Sequence, residues 1–189
     1  IKRNLEYYKF LRELFMLRIL LYFFVLLLFS QDLLAHGPSR QKVSLKLDVK
    51  APVSEVWKIV SNFEEFTWNE EVEKSESNGN KVGSERVISF KNGSKVKQKL
   101  EKVNADKMMV SWRVIETDNK ALPVNSYAAK IFVKSIDSNT TSITYKSGFY
   151  RGFMGNDPPT ELNDENSKIK VTKFIEGNLK GLKRIAEGN

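Results

Sequence analysis

Few side chains in this chain of 189 residues are of types that make and break bonds. One histidine and no cysteine exclude thiolate nucleophiles, iron–sulfur clusters, Cys-based zinc sites, disulfide frameworks and multi-histidine metal centres. What remains is an arginine and a set of aromatic rings on alternating stretches. Arg86 shares strand parity with Ile88 and Phe90, and Gln98 shares it with Val96 and Leu100. Asn92-Gly93 invites a two-residue turn between them, but that register would oppose Phe90 to Lys95 and split the faces. A three-residue loop of Lys91, Asn92 and Gly93, with Gly93 left-handed, keeps the faces together and sets Arg86 opposite Gln98. The expectation is a cation aimed into the interior with an amide beside it. An unpaired charge there costs several kcal/mol. Two readings follow: a hook for a carboxylate or polar head group, or an arginine near a strand end that reaches out to water.

By the same parity, Trp112, Tyr127, Tyr145 and Phe149 point inward with Phe90, and Trp57, Phe63 and Trp68 are available to join them. Together with Arg86 and Gln98, the rings of Trp68, Phe90, Trp112, Tyr127, Tyr145 and Phe149 are the expected lining of an apolar ligand cavity. Each ring taken singly also fits an ordinary core. Tyr127 and Tyr145 carry hydroxyls that need partners when buried, so they are the better residues for orienting a ligand. No Asp or Glu falls on these inner faces, so no catalytic acid or base is assigned. Tyr127, Tyr145 and Arg86 could still polarise a carbonyl. Asp157, Glu161, Asp164 and Glu165 surround the start of the last helix, where acids complement the dipole. Tyr150, Arg151, Asp157 and Glu161 are the expected partner surface, and neither metal nor cofactor is expected. His36, if it became the N-terminus, could offer an amine and an imidazole to copper, but no second histidine completes such a site.

The elements that must position these residues are legible in the spacing. Val43, Leu45, Leu47 and Val49 alternate as a half-buried strand, and Val53, Val56, Trp57 and Val60 give a short helix over about 53–61. Turn clusters at 78–80, 92–93, 104–106 and 137–139 then separate strands over about 71–77, 84–91, 94–103, 107–117, 126–136 and 141–150. A final helix over 160–187 carries Val171, Phe174, Ile175, Leu179, Leu182 and Ile185 on one stripe. Gly177 and Gly181 weaken it, and their i,i+4 spacing suits a close approach. Seven antiparallel strands with one apolar face need a cover, and that helix is the large one available.

The first 35 residues are a different material. Eleven apolar residues, Ile19–Phe29, follow Arg18 and precede a polar stretch that ends in Ala35. That run is short for a spanning helix, and its flanks are those of a secretory signal peptide, with Met16 a possible true start. An uncleaved anchor is the rival reading. Residues 36–42 read as a loose arm and 43–189 as the domain, exported to the periplasm without stable membrane insertion. Five of the 31 basic and three of the 23 acidic residues precede residue 36, so the remainder carries a net charge of +6. Lysines 46, 50, 95, 97, 99, 130 and 134 fall on outward parities without an aromatic platform, which argues against nucleic acid and for a solvated face that steers acidic partners.

Ala51-Pro52-Val53-Ser54-Glu55-Val56-Trp57, Trp68, Gly83-Ser84-Glu85-Arg86 and Gly181-Leu182, in this order of elements, resemble the START/Bet v 1-like superfamily (SRPBCC). The resemblance implies an α+β helix-grip fold, a seven-stranded curved antiparallel sheet wrapped around a long C-terminal helix. His36-Gly37-Pro38-Ser39, Leu122-Pro123-Val124, Phe149-Tyr150-Arg151-Gly152 and the stretch Asn156-Asp157-Pro158-Pro159-Thr160-Glu161-Leu162-Asn163-Asp164-Glu165 resemble the MxaD-type members. Those are exported accessory proteins of periplasmic methanol oxidation. That resemblance implies methanol dehydrogenase or a c-type cytochrome as partner, and an apolar or anionic small molecule as ligand. A polyketide cyclase/dehydratase-like enzyme or a lipid carrier is the alternative within the superfamily.

Overall fold

The computed structural model describes residues 2–28 and 37–188. They fall into two units, one within residues 1–36 and one within 37–189. The first is a single helix, α1 (Lys2–Leu28), which runs through Met16 without a break. Among the described residues no helix is long and apolar enough to cross a membrane. The expected cleavage point after Ala35 and the copper-binding expectation at His36 lie outside the described residues.

The second unit is built on β1 (Gln41–Val49), α2 (Val53–Ser61), β2 (Val72–Ser77), β3 (Glu85–Phe90), β4 (Lys95–Asn104), β5 (Met109–Thr117), β6 (Val124–Ser135), β7 (Thr141–Arg151), a 3-10 turn (Thr160–Leu162) and α3 (Asp164–Ala186). All strands pair antiparallel in the order β1-β7-β6-β5-β4-β3-β2, so β2 to β7 form a meander and β1 closes against β7. One face of the sheet packs α3, chiefly along β1 and β7, while α2 sits against α3, β6 and β5. This is the helix-grip architecture. Alternation of buried and exposed residues along each strand selects the inner face, and the core between sheet and helix includes Ile88, Leu100, Val110, Ile131, Ile143, Val171 and Ile175.

Several boundaries move for local reasons. Gln41 and Lys42 pair with Phe149 and Gly148, so the loose arm gives up its last two residues to β1. Lys107 and Met108 belong to the turn before β5, where Met108 takes the left-handed conformation (φ 43°). The predicted helix over 160–187 is broken at Asn163, which caps α3 by accepting a bond from the Asn166 N–H. Ile185 is 41% exposed, at the edge of the predicted stripe. Asn178 and Gly181 are buried in its place. At Gly181 the α3 backbone runs against Trp68, and a Cβ there would overlap the Trp68 carbonyl. Gly177 faces the Asn69 amide, whose Nδ2 would lie 2.8 Å from an added Cβ.

Candidate functional site

The β3–β4 hairpin turns through Lys91, Asn92 and Gly93, with Gly93 at φ 80° and the Phe90 N–H donating to the Ser94 carbonyl. That register pairs Arg86 with Gln98. Arg86 is 1% exposed, so the solvent-reaching alternative does not hold. Its Nε and Nη2 donate to Gln98 Oε1 at 2.9 and 2.7 Å, and its Nη1 donates to the Phe63 carbonyl at 3.0 Å. The rings of Phe63, Phe66 and Trp112 lie 4.1, 4.3 and 5.2 Å from the guanidinium carbon. Among the described residues no carboxylate pairs with it. Burial pulls its pKa down to about 9, against a smaller upward pull from Tyr145. Two carbonyl-type acceptors and three π faces stand where a counter-ion would ordinarily be.

Further in, Trp112 packs edge-on to Tyr145, whose hydroxyl lies 3.3 Å from that of Tyr127. Tyr127 in turn stacks on Phe149. Burial raises both phenols: Tyr145 to about 12, tempered by Tyr127, Arg86 and Asn178, and Tyr127 well above the ordinary value, with Tyr145 adding to the rise. Both are neutral hydrogen-bond donors at physiological pH. Around this chain the buried Gln98 Nε2 and Trp112 Nε1 have no hydrogen-bond partner among the described residues. Both are pure donors, and buried donors are normally satisfied.

The sheet and α3 thus bring all eight expected lining residues inside: Trp68, Arg86, Phe90, Gln98, Trp112, Tyr127, Tyr145 and Phe149 are each buried. Grooves on the outer face, between Val87, Lys97 and Glu116 and between Arg113, Ile115 and Ser126, lie on the other side of the sheet from the Arg86 side chain. Sequence parity did not find Asn69 or Asn178. Asn69 Nδ2 donates to Asn178 Oδ1 (3.1 Å) and to the Phe174 carbonyl (3.3 Å), tying the segment before β2 to α3. An asparagine on an apolar stripe, at the place where Leu or Val would continue it, was the available signal.

The residues grouped as a partner surface separate. Asp157 and Glu161 are exposed and Tyr150 is half-buried with Arg40 over its ring (5.6 Å). Arg151 instead turns inward at 7% exposure. It donates to the carbonyls of Phe153 and Gly155 and pairs with Asp164 at 3.0 Å, so it holds the 152–155 loop and presents no free charge.

A curved sheet gripping a terminal helix around a buried guanidinium and a tyrosine pair defines a helix-grip protein with polar groups set in its packed core. The chain belongs to the polyketide cyclase/dehydrase and lipid transport family, which it matches over residues 40–187. Solved structures of the same fold include XoxI from Bacillus cereus, with a TM-score of 0.64 and 18% identity over 77% of this chain and 94% of that one. ZhuI aromatase/cyclase from Streptomyces sp. R1128 gives 0.62 and 15% over 79% and 93%. Norcoclaurine synthase from Thalictrum flavum, in complex with a transition state analogue, gives 0.57 and 17% over 79% and 95%. No curated protein matches the chain.

Proposed function

We propose that this domain binds a small molecule with an apolar body and an anionic or acceptor-rich head group, taken up between the sheet and α3 with the head on Arg86. The observation that carries the reading is the buried guanidinium without a carboxylate, beside the unpaired donors Gln98 Nε2 and Trp112 Nε1. An acceptor entering there would relieve both unsatisfied donors at once, each of which costs about 1–3 kcal/mol. The rings of Phe63, Phe66 and Trp112 cover the cation and must yield to admit it. Anilinonaphthalene sulfonate, an apolar body with one anionic group, is a suitable probe by fluorescence titration. The native protein is expected to bind it and Arg86→Met to weaken binding by about tenfold or more. Unchanged affinity in Arg86→Met would remove the hook from the proposal.

An enzymatic version of the same site is favoured by the Tyr127–Tyr145 pair, whose neutral hydroxyls could donate to a substrate carbonyl beside Arg86. Named structural neighbours include a synthase and an aromatase/cyclase. Tyr145→Phe would then abolish turnover while leaving ligand affinity within a few-fold.

The narrower role is that of an exported accessory protein of the MxaD type, which binds an acidic periplasmic partner such as methanol dehydrogenase or its c-type cytochrome. Its support is the motif stretch 156–165, which includes the exposed Asp157 and Glu161, and the +6 charge of residues 36–189. Co-purification from periplasm of methanol-grown cells at low and high salt tests it. Elution of the protein alone at low salt would end the partner claim.

A further inference from the structure

The strand register assembles a row on the outer face of the sheet that no single strand displays. Lys102 stands opposite Ser111, Ser111 opposite Lys130, Lys130 opposite Lys146, and Lys146 opposite Ser44. The row crosses five strands, about 19 Å from end to end at the usual strand spacing. Lys102, Lys130 and Lys146 are exposed. Like charges directly opposite each other on a sheet are destabilising, and Lys130 and Lys146 are such a pair.

Elsewhere on this face several cations have acids, while among the described residues the exposed Lys42, Lys95 and Lys134 have none. Lys97 and Lys99 share Glu85 (2.7 and 3.8 Å), Arg113 meets Glu101 (3.4 Å) and Lys46 meets Asp48 (3.9 Å). Among the described residues none of the three lysines in the row forms an ion pair. Lys146 Nζ lies instead over the Phe132 ring at 5.7 Å. What sets the row apart is that two of its ammonium-bearing residues, Lys130 and Lys146, stand directly opposite each other with no acid between them.

We infer that the Lys102–Lys130–Lys146 row is the docking surface for an acidic protein. The site inside the sheet plays no part in it; the inference rests on the partner reading given above and assigns that partner's seat. Carboxylates about 5–6 Å apart, as on one face of an acidic helix, match the step between neighbouring strands. The hydroxyls of Ser111, between Lys102 and Lys130, and of Ser44, at the end beside Lys146, offer further donors to the same carboxylates. A membrane surface is the other polyanion of this shape, but peripheral binding to lipid draws on apolar side chains inserted below the headgroups. The row carries no exposed aromatic side chain, and Phe132 is half-buried beneath Lys146.

The test compares the full chain with two variants of equal charge change, Lys130→Glu/Lys146→Glu on the row and Lys170→Glu/Lys173→Glu on the exposed side of α3. Short poly-L-glutamate and vesicles of phosphatidylglycerol with phosphatidylcholine are the probes, at low and at about 0.15 M salt, where screening extends over about 8 Å. The expected result is salt-sensitive binding of poly-L-glutamate that falls by about tenfold or more in the row variant and by less than about twofold in the helix variant. Equal loss in both variants would show attraction by net charge alone and overturn the surface while leaving an acidic partner possible. Binding to vesicles that the row substitutions abolish, without binding to poly-L-glutamate, would replace the protein partner by lipid. Failure of the native protein to bind either probe would overturn the partner reading itself.

Discussion

Arg86 is the residue on which stability and binding pull in opposite directions. A charge buried without a counter-ion is a net cost to folding, and apolar side chains of similar volume are often as good or better. Removing the guanidinium alone strands Gln98 Oε1 and the Phe63 carbonyl, so the informative variant is Arg86→Met with Gln98→Leu, which leaves only that one carbonyl unpaired. The gain of about 1–4 kcal/mol from removing the buried charge is offset by about 1–3 kcal/mol for the unpaired Phe63 carbonyl. The unfolding free energy of the double variant is therefore expected to equal or slightly exceed that of the native protein, while probe binding is lost. The pH dependence has a definite sign. With a folded pKa near 9 against an ordinary 12.5, Arg86 is charged in both folded and unfolded states below pH 9, and its burial cost is then complete. As pH rises above 9 the folded state gives up the proton first, and the cost is relieved. The advantage of the double variant should therefore be largest at about pH 7 and narrower at about pH 10.5, measured by urea unfolding. The raised Tyr127 and Tyr145 lose stability as pH passes 10 in both proteins, and without Arg86 the Tyr145 phenol is raised further, which narrows the variant's advantage at high pH in the same direction.

At the scale of elements, α3 and the segment 63–69 hold each other in place through glycine. Gly181→Ala would gain about 1 kcal/mol of helix propensity, yet its methyl would collide with the Trp68 backbone, which cannot rotate away. Overpacking of this kind costs about 1–3 kcal/mol or more, and a net loss of about 2 kcal/mol is expected. Gly177→Ala meets only the Asn69 side chain, which can shift, so it should fall within about 1 kcal/mol of the native protein. Denaturant unfolding of the two variants would show this ordering. The reverse ordering would mean that α3 does not approach Trp68 as described. The same contact carries consequences for the site, because Phe66 packs 4.7 Å from the Trp68 ring and also covers Arg86.

For the molecule as a whole, the covalent chemistry is simple. A chain without cysteine has no oxidation step in its folding, so reductant should leave its unfolding transition unchanged. The unit beginning at Gly37 holds the whole sheet, α2, α3 and the core, while α1 belongs to the other unit. Residues 37–189 expressed alone are therefore expected to unfold in one cooperative transition with native near-ultraviolet circular dichroism. A broad transition, or loss of aromatic signal, would show that the preceding residues contribute to this core.

Much of this protein was already determined by its amino-acid order. Period-two alternation and the turn clusters mark seven strands, and two-sided agreement of apolar faces fixes the β3–β4 register through a three-residue loop at Gly93. A one-residue slip there would invert every side chain, which is why parity alone places Arg86 inward beside Gln98. Tertiary structure decided what no local pattern encodes. Arg151 turns in to Asp164 because the 152–155 loop folds back over it. Asn178 interrupts an apolar stripe because Asn69, more than a hundred residues earlier, meets it there. The lysine row exists only once five strands lie side by side. Local spacing reports which face a residue belongs to, whereas its partners are set by chain segments brought together from far apart in sequence.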